Sequence, residues 1–186
     1  MMTAQLFQAI EKKDACGVME LINQGVDVNA KDSEGRSALF AAIPMGDITI
    51  VLLLIAHGAN VNESRSGCTP LMFACSIGNF KIVEILIQEE ANLNDIDQFS
   101  GYSAIVCATI NGNEAIMNLL IKKGADVSID DNVRRKILAI NPFLRIMKED
   151  TPFPQGKVHP FHTIRTLLEM RKPLSEEEEK MLQFRK

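Results

Sequence analysis

The feature that most constrains this chain is a segment that recurs three times in the same frame. A glycine at position 35, 67 or 101 opens each copy, and a second glycine follows eleven residues later. The copies read GRSALFAAIPMGD, GCTPLMFACSIGN and GYSAIVCATINGN. A period of about 33 residues is typical of repeat proteins, in which each unit buries its apolar face only by stacking on its neighbours. The sequence therefore predicts a solenoid rather than one closed core.

Each copy carries the signals of two short helices separated by the second glycine. A hydroxyl residue before the first helix and Asp or Asn before the second are suited to cap them, and Pro70 can begin its helix. The predicted caps are Ser37, Thr69 and Ser103, then Asp47, Asn79 and Asn113. Apolar residues at i, i+1, i+4 and i+5 predict one buried stripe per second helix. These are Ile50, Val51, Leu54 and Ile55; Ile82, Val83, Leu86 and Ile87; and Ile116, Met117, Leu120 and Ile121.

The predicted end of the second helix differs in one unit. Gly25, Gly58 and Gly124 stand where a chain leaving a helix turns into the left-handed conformation, but the third unit has Glu90 at that position. A Cβ atom disfavours a positive φ, so we expect this glutamate to cost on the order of 1 kcal/mol.

Four stretches resemble the ankyrin-repeat family: GCTPLMFA, GNFKIVEILI, LIAHGANVN and LIKKGADVS. The resemblance implies an all-α ankyrin-repeat solenoid, in which each unit has a turn, two antiparallel helices and a projecting finger loop. The predicted units are residues 1–31, 32–62, 63–94 and 95–128, with a degenerate fifth unit or cap at 129–148. Prolines predict a connector at 149–160, and helical spacing predicts a helical C-terminal extension at 161–186.

Charge and hydropathy argue against several classes of partner. The net charge of −4 leaves no basic surplus to hold a phosphate backbone, so we expect no nucleic acid partner. The apolar run IVLLLIA is too short to span a bilayer, and the N-terminus lacks the pattern of a secretory signal, so no membrane partner is expected. Four cysteines without a CxxC pair fit a reducing compartment. The resulting expectation is a cytoplasmic monomer.

No group of residues has the spacing that catalysis would require. Motifs for a phosphate-binding loop, a nucleophile elbow and a zinc protease are absent from the sequence. His57 precedes a glycine at a predicted helix end, and His159 and His162 lie in the proline-containing connector region without a metal-ligand partner. We therefore expect a protein that is not an enzyme and that has no catalytic residues, no cofactor and no metal.

The resemblance implies that the array binds a protein partner through a concave surface made of the finger tips and the exposed side of each first helix. Positions before the second glycine and after the finger glycine face this surface, and the longest finger, DIDQFSGY, adds an aromatic residue. The predicted partner-binding residues are Arg36, Met45, Ile77, Phe99, Tyr102, Ile110 and Asn111. In an alternative interpretation, Ile77 and Ile110 only seal contacts between repeats, or the C-terminal segment covers them.

The tail PLSEEEEKMLQFRK leaves two further hypotheses open. Its glutamates after Ser175 fit an ordinary helix N-terminus. With Phe184 near the end, they also resemble the C-terminal signals by which some intracellular bacteria export effectors through a type IV secretion system. The chain would then be secreted into a host cell, where the array engages a eukaryotic host protein. Alternatively, the extension occupies the groove and makes a self-inhibited or assembly module.

Overall fold

A computed structural model describes residues 2–127, and within them the chain forms an all-α repeat array, as predicted. The degenerate fifth unit, the connector and the C-terminal extension lie outside the described residues. The helices are α1 (Met2–Glu11), α2 (Ala15–Asn23), α3 (Ala38–Ala42), α4 (Ile48–Ala56), α5 (Pro70–Ile77), α6 (Phe80–Gln88), α7 (Ala104–Ile110) and α8 (Glu114–Lys122). A 3-10 turn at Ile43–Met45 extends α3.

The helices form two layers. The first helix of each pair packs on the first helices of neighbouring pairs, so that α1, α3, α5 and α7 make an inner layer. The second helices, α2, α4, α6 and α8, pack on one another in an outer layer. The finger loops connect each outer helix to the next inner helix, which brings successive fingers to the same edge of the array.

The core runs between the two layers through every described repeat. Leu39, Leu71 and Ile105 occupy the same position in successive inner helices, and all three are buried. The outer-helix stripes are buried at their first three positions, as predicted, and Ile55 and Ile87 pack against the core while partly buried. The prediction is wrong for Ile121, which is 38% exposed. The outer helices α4 and α6 each pack on a following outer helix, whereas α8 is the last helix within residues 2–127.

The predicted helix caps form in two of the three central pairs. Ser37 and Thr69 accept hydrogen bonds from the backbone N–H groups of Phe40 and Met72, both at 3.3 Å. Asp47 and Asn79 cap the outer helices in the same way, by accepting from backbone N–H groups of their first turns.

In the third central pair, Ser103 and Asn113 occupy the cap positions, but neither side chain makes the cap hydrogen bond. Asn113 instead donates from Nδ2 to the carbonyl oxygen of Cys75, at 2.9 Å. The cap predictions were therefore wrong for these two side chains, and Asn113 ties its repeat to the preceding one.

Asparagines at the end of each unit also link neighbouring repeats. Asn29 donates from Nδ2 to the Gly58 carbonyl at 2.9 Å, and its Oδ1 accepts from the Asn60 N–H at 2.8 Å. Asn62 makes the equivalent bonds to Glu90 and Asn92, one repeat further along. These bonds fix the end of each outer helix relative to the end of the next outer helix. The fingers that follow are oriented as a result.

The outer helices end in the same left-handed turn, including the one without glycine. Gly25, Gly58 and Gly124 have φ values of 85°, 89° and 88°, and Glu90 adopts a φ of 62°. In this turn the Ala91 N–H donates to the Leu86 carbonyl at 2.9 Å, as the residue after each glycine does in the other units. The backbone geometry is imposed by the repeat, and Glu90 adopts it against the preference of a residue that has a Cβ.

We predict that Glu90→Gly raises the free energy of unfolding by about 1 kcal/mol and the melting temperature by about 2–4 °C. The gain arises because glycine adopts positive φ without strain, while the backbone bonds of the turn remain. Thermal unfolding followed by circular dichroism measures it. Gly58→Ala is the matched control, since a Cβ there would meet no atom within 4 Å. This substitution should lower the free energy of unfolding by a similar amount. A lower melting temperature for Glu90→Gly would contradict this account.

Candidate protein-binding surface

Within residues 2–127, three fingers project at the edge where outer helices lead into inner helices, and backbone hydrogen bonds close each of them. In the first finger the Asp32 N–H donates to the Arg36 carbonyl at 3.0 Å. In the second, Arg65 and Cys68 exchange backbone bonds of 2.9 and 3.0 Å. The third is closed by a bond of 2.9 Å from the Asp97 N–H to the Tyr102 carbonyl. All three fingers are therefore folded turns.

The third finger is additionally held by the side chain of Asp97. Its Oδ1 atom accepts hydrogen bonds from the backbone N–H groups of Phe99 and Ser100, at 2.8 and 3.3 Å. Next to it, Asp95 Oδ1 accepts from Asn92 Nδ2 at 2.6 Å. Local side-chain bonds of this kind fix the path of a turn without help from a regular strand pairing.

The second and third fingers lie against each other. A Cβ added at Gly67 would stand 2.9 Å from Asp97 Oδ1 and 3.2 Å from the backbone nitrogen of Gln98. Gly67 also has a φ of +88°. Glycine at this position thus serves two purposes, since it permits the turn and it lets the third finger approach closely.

The tip of the third finger presents apolar side chains to solvent. Phe99 is 82% exposed and Ile96 is 63% exposed, although both belong to residue types that usually avoid water. Tyr102, at the base of the same finger, is partly buried and packs against the core. The structure therefore places Phe99 as a free apolar contact point and Tyr102 as a side chain with one face already covered.

The predicted residues near the second glycine differ in exposure. Ile77, the last residue of α5, is 46% exposed. Met45 and Ile110 are partly buried and pack against the core. For Ile110 this burial is closer to the alternative in which Ile77 and Ile110 seal contacts between repeats. Asn111 is exposed, and its Nδ2 donates to the Cys107 carbonyl at 2.8 Å across the end of α7.

The seven predicted residues consequently form two groups. Arg36, Phe99 and Tyr102 lie at the fingers, before the inner helices begin, and the remaining four lie at the opposite ends of these helices. The eight residues of α5 rise about 12 Å along its axis, so the two groups border the inner-helix layer on opposite sides. We call the surface that runs from the fingers across the inner helices to Ile77 the finger surface.

Arg36 forms ion pairs with two carboxylates of its own finger. Its Nε lies 2.7 Å from Asp32 Oδ2 and 3.6 Å from Glu34 Oε2. The hydrogen bond to Asp32 raises the pKa of Arg36. Burial alone would raise the pKa of Asp32, but hydrogen bonds from the Arg36 backbone and side chain bring it below its usual value. Arg36 therefore reaches a partner only with its remaining guanidinium N–H groups, since Nε is already occupied.

A second set of charges links the first two fingers. Lys31 Nζ lies 2.8 Å from Glu63 Oε1, and Arg65 lies 3.7 Å from Glu34. The Arg65–Glu34 pair is exposed and contributes little to stability, while Glu63 is partly buried. Together the two pairs balance the charge of the first two fingers, so that this end of the finger surface presents both positive and negative side chains.

Sequence reasoning missed an aromatic pair on the inner-helix layer. The rings of Phe40 and Phe73 stack with centroids 4.6 Å apart and planes 5° from parallel. Arg65 lies over the Phe40 ring, 5.8 Å from its centroid, in a cation–π arrangement. The two phenylalanines occupy different positions of their repeats, so the repeat alignment alone gives no sign that their rings meet.

The cysteines near this surface are not arranged for thiol chemistry. Burial raises the pKa of Cys68, with a further contribution from the charge of Asp97. Burial, followed by the charges of Cys68 and Asp97, raises the pKa of Cys107 to about 12. Burial also raises the pKa of Cys75. These thiols stay protonated at neutral pH, and a protonated thiol is a poor nucleophile.

Residues 2–127 contain no cluster of three or more His, Cys, Asp or Glu side chains placed to hold a metal ion. None of the helices described has both the length and the apolar character needed to cross a bilayer.

The chain matches a known protein family and several of its members. A family model for ankyrin repeats in three copies matches residues 3–65 and 63–131. An ankyrin-repeat protein of Rickettsia felis is 30% identical over 129 residues, which cover 68% of this chain and 42% of that protein.

Two animal proteins match over a shorter stretch. The ankyrin repeat and SAM domain-containing protein 6 of Rattus norvegicus is 33% identical over 100 residues, or 53% of this chain and 11% of the relative. The NF-kappa-B inhibitor cactus of Drosophila melanogaster is 31% identical over 103 residues, or 54% of this chain and 21% of the relative. The alignments thus span less than half of each relative. Since the family model covers well over half of the chain, this protein belongs to the ankyrin-repeat family.

Proposed function

We propose that the array is a non-catalytic module that binds a protein partner through the finger surface. Family membership supports the general part of this proposal, because ankyrin repeats generally mediate protein–protein interactions. One relative, cactus, is named for its inhibition of another protein, NF-kappa-B. Because ankyrin arrays bind unrelated proteins through variable surface residues, the side chains of the finger surface, and not the fold, select the partner.

The observation that carries the proposal is the exposure of large apolar side chains on the finger surface. Ile77 is 46% exposed at one side of the surface, and Phe99 is 82% exposed at the other. Two aromatic side chains of this surface are partly exposed, Phe73 within α5 and Tyr102 at the base of the third finger. Apolar groups gathered on one surface favour association, because a partner that covers them removes their area from water.

The binding mechanism follows from the rigidity of the array. Each finger is closed by its own backbone hydrogen bonds, and the asparagine links fix one repeat relative to the next. A surface that is already ordered loses little conformational entropy on binding. In the proposed mechanism the array recognises its partner by fixed presentation of side chains, and it undergoes no large rearrangement.

A non-catalytic role agrees with the chemistry of the described surface. The ankyrin-repeat family is generally non-catalytic. Among residues 2–127, the buried thiols are held in their protonated form and no cluster for a metal is present. The proposal accordingly assigns the finger surface to recognition, and it places this activity in the cytoplasm.

Two alternatives depend on the C-terminal segment, which lies outside the described residues. In one, the chain is an effector that an intracellular bacterium secretes into a host cell, where the array engages a host protein. In the other, the extension occupies the groove of its own array and releases it on a signal. Both remain hypotheses, because their distinguishing residues are in the tail from Pro173 to Lys186.

We predict that combining Ile77→Asp with Tyr102→Ala abolishes binding of the partner in an affinity pull-down from eukaryotic lysate. A charge at the exposed Ile77 opposes burial by a partner, and the second change removes an aromatic contact. Ile77→Asp alone should weaken binding. Phe80→Asp is the control, because Phe80 is similarly exposed but lies on the outer layer.

The supporting result is a protein that mass spectrometry finds on the wild type and on Phe80→Asp but not on the double variant. Tyr102 packs against the core, so circular dichroism must show that the double variant keeps its helices. A partner lost from Phe80→Asp and retained by the folded double variant would contradict the proposed surface.

Deletion of residues 149–186 separates the proposed adaptor from its alternatives. A plain adaptor should bind its partner with unchanged affinity, whereas a self-inhibited groove should bind more tightly once the extension is gone. An effector should keep its affinity but fail to be exported in a type IV secretion assay. Affinity measured by calorimetry with the partner from the pull-down, together with that assay, distinguishes the three outcomes.

A further inference from the structure

The charge of the array changes abruptly along its length. From Lys31 to Arg65, both acidic and basic side chains are present, and they form ion pairs within the first finger and between the first two fingers. Between Lys81 and Lys122 the sequence has no lysine, arginine or histidine. The acidic residues in that interval are Glu84, Glu89, Glu90, Asp95, Asp97 and Glu114.

The third finger lies in the middle of this acidic interval. Asp95 and Asp97 belong to the finger, and their described hydrogen bonds come from an uncharged amide and from backbone N–H groups. Within residues 2–127, neither carboxylate forms an ion pair with a basic side chain. No ion pair within residues 2–127 therefore neutralises the negative charge of the finger.

The same finger carries the largest apolar exposure among the described residues. Phe99 is 82% exposed and Ile96 is 63% exposed, on either side of Asp97. The turn that holds them is fixed by the bond from the Asp97 N–H to the Tyr102 carbonyl and by a bond of 2.7 Å from the Gly101 N–H to the Asp97 carbonyl. An exposed apolar tip on a closed turn, beside unneutralised carboxylates, is suited to a partner with the complementary pattern.

We infer that the third finger binds a basic amphipathic segment of a partner protein. The apolar face of that segment covers Phe99 and Ile96, and its lysine or arginine side chains lie near Asp95 and Asp97. The inference rests on the proposed protein-binding function and adds the chemical class of the partner. The negative field of the finger would also speed the encounter with a basic partner, and salt would weaken this effect.

A phosphate-bearing partner fits the same surface poorly. Carboxylates repel phosphate groups, and the acidic interval provides no cation to neutralise them. The first two fingers have cations, but Lys31, Arg36 and Arg65 are already paired with carboxylates. The chemistry of the finger surface therefore favours a cationic protein segment over nucleic acid.

Fluorescence polarisation with two labelled peptides tests this inference on the full chain. One peptide has two LKKLLKL heptads, and the other has two LEELLEL heptads, so that they differ only in the sign of their charge. We expect the lysine peptide to bind and its affinity to fall as salt is raised, while the glutamate peptide binds at least about tenfold more weakly.

Three substitutions locate the binding site. Phe99→Ser should weaken the lysine peptide about tenfold, because it removes the largest exposed apolar contact. Asp95→Asn keeps an acceptor for Asn92 but removes the charge, and it should weaken binding several-fold at low salt only. Phe80→Ser, on the outer layer beside the exposed Lys81, is the control and should leave the affinity unchanged.

The inference is overturned if both peptides bind alike, or if Phe99→Ser binds the lysine peptide as tightly as wild type does. Failure of the inference can be separated from failure of the proposed function. A partner that Ile77→Asp/Tyr102→Ala loses but Phe99→Ser retains would uphold the finger surface and reject the basic segment on the third finger.

Discussion

The structure depends on one constraint, which is that no repeat can cover its own apolar stripe. Leu39, Leu71 and Ile105 are buried where the inner helices pack on one another and on the outer layer, as α5 packs on α7 and on α6. Stacking must therefore reproduce the same helix positions in every unit. This explains why Glu90 adopts a backbone conformation that disfavours it, since the turn belongs to the array and not to the residue.

The same constraint leaves the fingers free to vary. Their backbone bonds are internal to each turn, so a change in a finger's length or side chains does not alter the spacing of the helices. The first two fingers use this freedom for paired charges, and the third uses it for an exposed phenylalanine beside carboxylates. The rigid layers thus provide a fixed support on which the residues that define partner choice can diverge.

Most of the fold could be predicted from the sequence because the signals are local and repeated. The caps at Ser37 and Thr69, the stripes of the outer helices and the strained turn at Glu90 each depend on residues a few positions apart. Contacts between repeats were harder to predict from the sequence. The Phe40–Phe73 stack and the bond from Asn113 to Cys75 join residues more than thirty positions apart, at different places in their units.

In the candidate site, too, local features could be predicted from the sequence, whereas contacts between repeats could not. Exposure of Phe99 followed from its place in a long finger, but the partial burial of Met45 and Ile110 depends on neighbouring helices that the sequence pattern does not position side chain by side chain.

Recognition by fixed presentation of side chains requires that the third finger is already ordered before a partner binds. Amide hydrogen exchange of the free chain tests it most directly. We predict that the Asp97 and Gly101 amides exchange much more slowly than in an unstructured peptide of the same sequence, and equal rates would contradict an ordered finger.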